Sequence, residues 1–172
     1  MIISRKIERS RIDANAIYGF VLDKSENLTY LAYEYDFQID GFKIIRNEDI
    51  SSSQVTPASR YCSKIMQKEG LLDILKNPPE LEIKNWVTVF QQLKRNRKIV
   101  IIENEEENDF FIGPIYRVGK QSVTIRGFDG TGKWQEKENV AFSVITSVAI
   151  DCRYIRFHEK YLRKYKTTRL RT

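Results

Sequence analysis

Residues 140–154 read VAFSVITSVAIDCRY, and residues 44–61 read IIRNEDISSSQVTPASRY. Both open on apolar residues, take a short polar step and reach an isoleucine followed by two hydroxyl residues, Ile50-Ser51-Ser52 in one and Ile145-Thr146-Ser147 in the other. Both then hand over to Arg-Tyr. A pattern stated twice in 172 residues points to a chain built twice. The glycines agree: Gly113 follows Gly19 by 113 − 19 = 94 positions, and Ile145 follows Ile50 by 145 − 50 = 95.

Working outward, residues 5–22 read as one long or bent strand. Ile12, Ala14, Ala16 and Tyr18 share a face, and Gly19 marks a bulge or a close approach. Residues 28–36 (LTYLAYEYD) are rich in aromatic and β-branched side chains, which predicts a strand. Residues 37–46 form the next, with Asp40-Gly41 as a turn or bulge inside it. Pro57 ends the strand pattern. A helix is expected over 57–70, with Ser59 as N-cap and Gly70 as stop. Pro78 and Pro79 interrupt the chain, and Trp86, Val89, Phe90 and Leu93 then stand at helical spacing in a second helix over 83–95. From residue 98 the strands resume. The turn at 129–132 parallels Asp40-Gly41, and residues 155–166 (IRFHEKYLRKYK) close on a third helical pattern. The expected fold is mainly β with flanking helices. It comprises two tandem five-stranded small barrels, over residues 1–66 and 98–172, joined by a helical linker over 67–97. Short antiparallel strands protect their edges by curling closed or pairing with a neighbour.

The glycine-interrupted strand, the long central hairpin and the short isoleucine-led last strand together resemble the Sm-like family, an SH3-type barrel, present twice. The resemblance covers about 60 residues of each half at the level of fold. It implies ring-forming proteins that bind single-stranded RNA through an Asp and an Asn after the second strand and an Arg-Gly or Lys-Gly pair in a later loop. Residues 23–27 (DKSEN) look like the first, offering Asp23 and Asn27, and Arg126-Gly127 looks like the second although it falls a strand early. Residues 118–122 (VGKQS), the counterpart of the first loop, carry neither Asp nor Asn.

Charge points the same way. The net charge is +6, and Lys160, Arg163, Lys164, Lys166, Arg169 and Arg171 supply that much with no acid among them. Further cations cluster at Arg5, Lys6, Arg9 and Arg11 and at Lys94, Arg95, Arg97 and Lys98, facing an acidic run over 103–109. Basic ends favour an anionic partner, nucleic acid first. Tyr161 and Tyr165 lie between tail cations and could stack bases, whereas aromatics in the first hairpin suit core packing as well.

Other classes find less support. No apolar run approaches the roughly 18 residues of a membrane span, and residues 1–11 lack a signal-peptide pattern, so a cytoplasmic location is expected. Cys62 and Cys152 have no partner at metal-ligand spacing and read as small buried residues. His158 has no acid or nucleophile beside it in the helix. Residues 127–133 (GFDGTGK) imitate a phosphate loop, but Trp134 stands where Ser or Thr is needed. Acid pairs such as Asp36 with Asp40 or Glu136 with Glu138 suit a solvated face. The expectation is a non-enzymatic protein without cofactor or metal. Its candidate partners are single-stranded RNA or other nucleic acid, a second copy, or another protein met through barrel edges.

Overall fold

A computed structural model describes residues 2–168, with side chains through residue 162. Ten strands make one open antiparallel sheet in the order β5-β1-β2-β3-β4-β10-β6-β7-β8-β9. The first five are β1 (Arg5–Arg9), β2 (Asp13–Lys24), β3 (Leu28–Tyr35), β4 (Gln38–Arg46) and β5 (Ser52–Gln54). After α1 (Pro57–Lys68) and α2 (Trp86–Arg95) come β6 (Ile99–Asn104), β7 (Asp109–Val118), β8 (Ser122–Phe128), β9 (Trp134–Ala141) and β10 (Ser147–Ile150), then α3 (Arg153–Thr168). The fold is thus mainly β with three α-helices. The strands join the halves in one sheet, in place of two separate closed barrels, because β10 hydrogen-bonds to both β6 and β4.

Strand order within each half is the same, fifth-first-second-third-fourth. The echo quoted above has a structural cause. In the first half the Ser51 N–H and hydroxyl both donate to the Glu8 carbonyl, at 2.8 and 3.0 Å, and the Ser52 hydroxyl donates to the Glu8 carboxylate. In the second, the Thr146 N–H and hydroxyl donate to the Glu103 carbonyl at 2.9 and 3.0 Å, and the Ser147 hydroxyl donates to the Glu103 carboxylate. Glu103 follows Glu8 by 103 − 8 = 95 residues. The hydroxyl pair therefore pins the last strand of each half to a glutamate on the first. Ahead of it sit matching 3-10 turns, Asn47–Asp49 and Phe142–Val144, each bonded through its first N–H to the loop after the half's second strand (Asn27 and Gln121 carbonyls).

Residues 5–22 divide at a tight turn into β1 and β2, since the Ile12 N–H donates to the Arg9 carbonyl. β2 then changes partners at Gly19, pairing with β1 before it and with β3 from it onward. A Cβ on Gly19 would lie 2.6 Å from the Ala32 carbonyl oxygen, and one on Gly113 would collide with the Arg126 carbonyl. The two glycines serve the same crossing, 126 − 32 = 94 residues apart on the partner strand. α1 is capped by Thr56, not Ser59. Thr56 and Ser59 exchange side chain to backbone bonds in a reciprocal capping box, with Pro57 opening the helix.

α2 begins at Trp86 behind the Asn85 N-cap, whose side chain accepts the Thr88 N–H at 2.9 Å. Its Trp86, Val89, Phe90 and Leu93 are buried in a core shared with Phe20, Phe42 and Ile44 of the first half and Val100, Val123 and Val148 of the second. Each such side chain contributes about 2 kcal/mol by burial. A segment that the sequence places between the halves is therefore part of their common centre. α3 packs separately, with Ile155 and Leu162 against Ile112 and Phe128.

The acidic run and the first basic cluster meet at the seam between the halves. Arg9, 1% exposed, is bidentate to Glu105 at 2.5 and 2.6 Å, and the single Thr146 hydroxyl proton is shared between the Glu103 carbonyl and the Glu105 carboxylate, the latter at 2.7 Å. Arg11 reaches Asp49 and Glu106, and Lys43 reaches Glu103. Burial raises the Glu105 pKa, but Arg9 and Thr146 outweigh it and hold the carboxyl below its ordinary value.

Candidate functional site

An open cleft of about 780 Å³ lies where the halves meet. It is built by the loop after β2, the two matching 3-10 turns and the start of α2. Asn47 organises the first loop: its side-chain amide donates to the Ser25 and Glu26 carbonyls at 2.9 Å each, and its Oδ1 accepts the Thr29 hydroxyl at 2.6 Å. The floor is apolar and aromatic, formed by Leu28, Trp86 and Phe142. Phe142 is held flat because its ring stacks on Phe90 at 5.7 Å, and Phe90 in turn meets Trp86 at 5.8 Å. Asn27, Asn47 and Asn85 place amides on the rim.

Charge in the cleft does not favour phosphate. Glu26 and Glu48 are set against Arg46 alone. Arg46 is itself engaged: Nε and Nη2 donate to Asp49 at 2.7 and 3.0 Å, and Nη1 donates to the Ser143 carbonyl at 2.9 Å. Arg46 is thus a strut between the halves. Asn27 differs, being exposed and having no side-chain hydrogen bond among the described residues. An aromatic floor with the Asn27 amide open on the rim suits a flat, uncharged ring with hydrogen-bonding edges.

The residues expected from sequence do not form one site. Asn27 lines the cleft, whereas Asp23 stands at the exposed end of β2, where its carboxylate accepts the Lys24 N–H at 2.8 Å. Arg126 is on β8 in the other half, its guanidinium 5.1 Å from the Trp134 ring. The later loop that reaches Asn27 carries Arg46-Asn47, which stands inside the repeated stretch itself. The asparagine there disguised it from a search for Arg-Gly.

Lys160 is exposed on α3 and lines a second pocket of about 410 Å³ with Gln38, Arg153, Arg156 and Phe157. Arg153, Arg156 and Phe157 were not among the binding residues expected from sequence, which put Arg153 at the entry to the last helix and Phe157 on its apolar side. Their signal was the i, i+3, i+7 spacing of Arg153, Arg156 and Lys160. Arg163, Lys164 and Lys166 lie on α3 with side chains outside those described, and Arg169 and Arg171 lie outside the described residues.

Other features are absorbed by the fold. In the turn after β8, Asp129 Oδ1 accepts the N–H groups of Thr131 and Lys133 at 2.9 and 3.0 Å, so the amides of this phosphate-loop lookalike are occupied internally. His158 packs between the Phe128 and Tyr154 rings at 5.0 and 4.5 Å. Cys152 is buried as expected, and burial pushes its thiol up; Cys62 is only half-buried. Arg5 and Lys6 are held by Ser53 and Glu8, and Lys98 is held by Asp151. No helix among the described residues is long and apolar enough to cross a membrane. No family model, curated protein or solved structure matches the chain.

Proposed function

We propose that the chain is a non-enzymatic binding protein built from two fused Sm-like repeats, and that it takes single-stranded nucleic acid, with a base held in the cleft at the seam. The observation that carries this reading is the meeting of Asn27 and Arg46-Asn47 over the Trp86–Phe142 floor in one open cleft. Two loops from one half, which resemble the pair that Sm-like proteins use, there share a surface shaped for an unstacked ring. Arg46 fixes the cleft's shape through Asp49 and Ser143, and Asn27 supplies the amide that reads the base edge. Asp23 and Arg126 take no part in this version of the site.

Anisotropy titration with labelled oligo(U), oligo(A) and oligo(C) tests it. Asn27→Ala removes an exposed side chain with no side-chain hydrogen bond among the described residues, so the thermal midpoint stays put while affinity for the preferred oligomer falls about fivefold or more, as expected for one lost base contact. Unchanged affinity for all three oligomers would place the base elsewhere. An adaptor that pairs through sheet edges is the other reading; neither outer edge favours it, β5 being three residues long and β9 carrying Glu136, Lys137 and Glu138.

A further inference from the structure

β3 runs from the cleft to the opposite end of the sheet, about 25 Å at ~3.3 Å per residue, and there its hairpin with β4 stands beside α3. Asp40 of this hairpin accepts the Arg153 N–H at 2.6 Å and so fixes the start of the helix next to it. Arg153, Arg156 and Lys160 project from one stripe of α3 into the pocket shared with Gln38 and Phe157, and among the described residues no carboxylate lines that pocket. None of the three cations is in an ion pair among the described residues. This sets them apart from Arg9, Arg11, Arg46, Lys43 and Lys98, all of which hold the fold together.

The hairpin tip is unusual in its own right. Tyr35 pairs with Gln38, so Asp36 and Phe37 form a two-residue turn, and both have positive φ, 48° and 61°. Asn-Gly or Asp-Gly is the ordinary choice for such a turn, because a bulky side chain in the left-handed region is strained. Here a phenylalanine that is 36% exposed occupies the glycine position, and Tyr35 beside it is 67% exposed. Strain of this kind is retained where a side chain is needed for contact. Phe157, 54% exposed, is the aromatic residue that lines the pocket with the three cations, and the Arg153 guanidinium stands 5.8 Å from its ring centroid; Phe37 adjoins the pocket through its chain neighbour Gln38.

We propose that α3 and the β3–β4 hairpin form a second seat for single-stranded nucleic acid, in which Arg153, Arg156 and Lys160 hold backbone phosphates while Phe37 and Phe157 stack unpaired bases. The pocket is shallow and open, so an extended single strand can lay successive phosphates along the Arg153-Arg156-Lys160 stripe with a base against the side of the Phe157 ring that Arg153 leaves clear. The proposal rests on the nucleic-acid reading above and concerns a different surface.

The test is anisotropy with a labelled oligo(U) of roughly 15 nucleotides, titrated from low to high salt. Arg153→Gln/Arg156→Gln/Lys160→Gln weakens binding at least tenfold at low salt, and the slope of log K against log salt falls by about 2, near 0.7 for each of three phosphates. Phe37→Gly weakens binding about fivefold while raising the thermal midpoint, because glycine relieves the turn. Asn27→Ala, by contrast, lowers affinity and leaves the slope intact, so failure of the cleft and failure of this seat are separable. A triple variant with the wild-type slope overturns the proposal, as does a Phe37→Gly chain that is more stable and binds as well as before. Loss of phosphatidylserine-vesicle binding in the triple variant with oligo(U) binding retained assigns the surface to a bilayer and overturns it too. Failure of the wild-type chain to bind oligo(U) at low salt overturns both this seat and the cleft.

Discussion

β4 and β9 are the fourth strands of their halves, and they are opposite in character. The centre of β4, Phe42-Lys43-Ile44-Ile45, is largely buried and takes β10 along its outer edge. β9 runs Gln135-Glu136-Lys137-Glu138-Asn139, all exposed, and pairs with β8 alone among the described residues. Ile44 and Asn139 occupy corresponding positions, 139 − 44 = 95 residues apart. The same place in the pattern is apolar where a neighbour arrives and polar, beside Glu138, where none does, which is how sheets control strand addition. At the other end, β5 is short, and the Arg5 guanidinium donates to its Ser53 carbonyl at 2.6 Å. The halves are therefore complementary at one contact and guarded at the two ends.

The sharpest way to break the comparison is to give β4 the residue of β9. Ile44 is fully buried, opposite Tyr30 on one side and Val148 on the other. Ile44→Asn removes a buried aliphatic side chain and leaves an amide without partners, a loss of about 4 kcal/mol. The urea midpoint should fall steeply or the chain fail to fold. The mirror change, Asn139→Ile, lies on an exposed strand and should shift stability by less than about 0.5 kcal/mol. Equal effects would refute the assignment of β4 as the joining edge.

The ionic seam ranks next. Glu105→Gln leaves the buried Arg9 guanidinium without its counter-charge and should cost about 3 kcal/mol, whereas Arg9→Met with Glu105→Leu should recover most of that loss by replacing the pair with apolar packing. The pH dependence has a definite sign. Because the Glu105 carboxyl is held below its unfolded value of 4.5, its contribution is present above that value and is lost as pH falls through the lower, folded one. Urea melts at pH 7 and 5.5 should give the same gap between wild type and Glu105→Gln, and melts below about pH 4.5 a shrinking one. A gap that widens in acid would contradict the pair.

What sequence discloses here is the local pattern. The repeated hydroxyl pair, the two bending glycines and the amphipathic α2 each rest on spacings of a few residues, and each is found in place. The β4–β10 ladder joins residues more than 100 positions apart, and no local spacing announces it. For the same reason residues 103–109 read from sequence only as an acidic run set against the basic clusters, with no partner assigned to any one of them. Glu105 is distinguished only by Arg9, 96 residues away. Ser59 was mistaken for a cap because both hydroxyls of a capping box carry the same local signal. At the candidate site Asn27 was legible from its loop. Arg46 was not, since its partners Asp49 and Ser143 come from two different halves.

The smallest expected effect on stability concerns the charged edge, and it decides what that edge is for. Glu136 and Glu138 are exposed on β9, with Lys137 between them over the Tyr116 ring at 3.5 Å. Replacing both acids with valine leaves the β8 ladder and the Lys137 contact in place, so the melting midpoint should move little, within about 0.5 kcal/mol. It also creates a run of high β-propensity along unpaired backbone groups, the condition under which an edge recruits another strand. Light scattering across a dilution series should then report a mass that rises with concentration relative to wild type. Screening by added salt should not mimic it, because the barrier is the cost of burying carboxylates against a partner strand as well as long-range repulsion. If the double variant keeps the wild-type mass at every concentration, charge is not the guard of β9, and the contrast with β4 reduces to which strand β10 happens to reach.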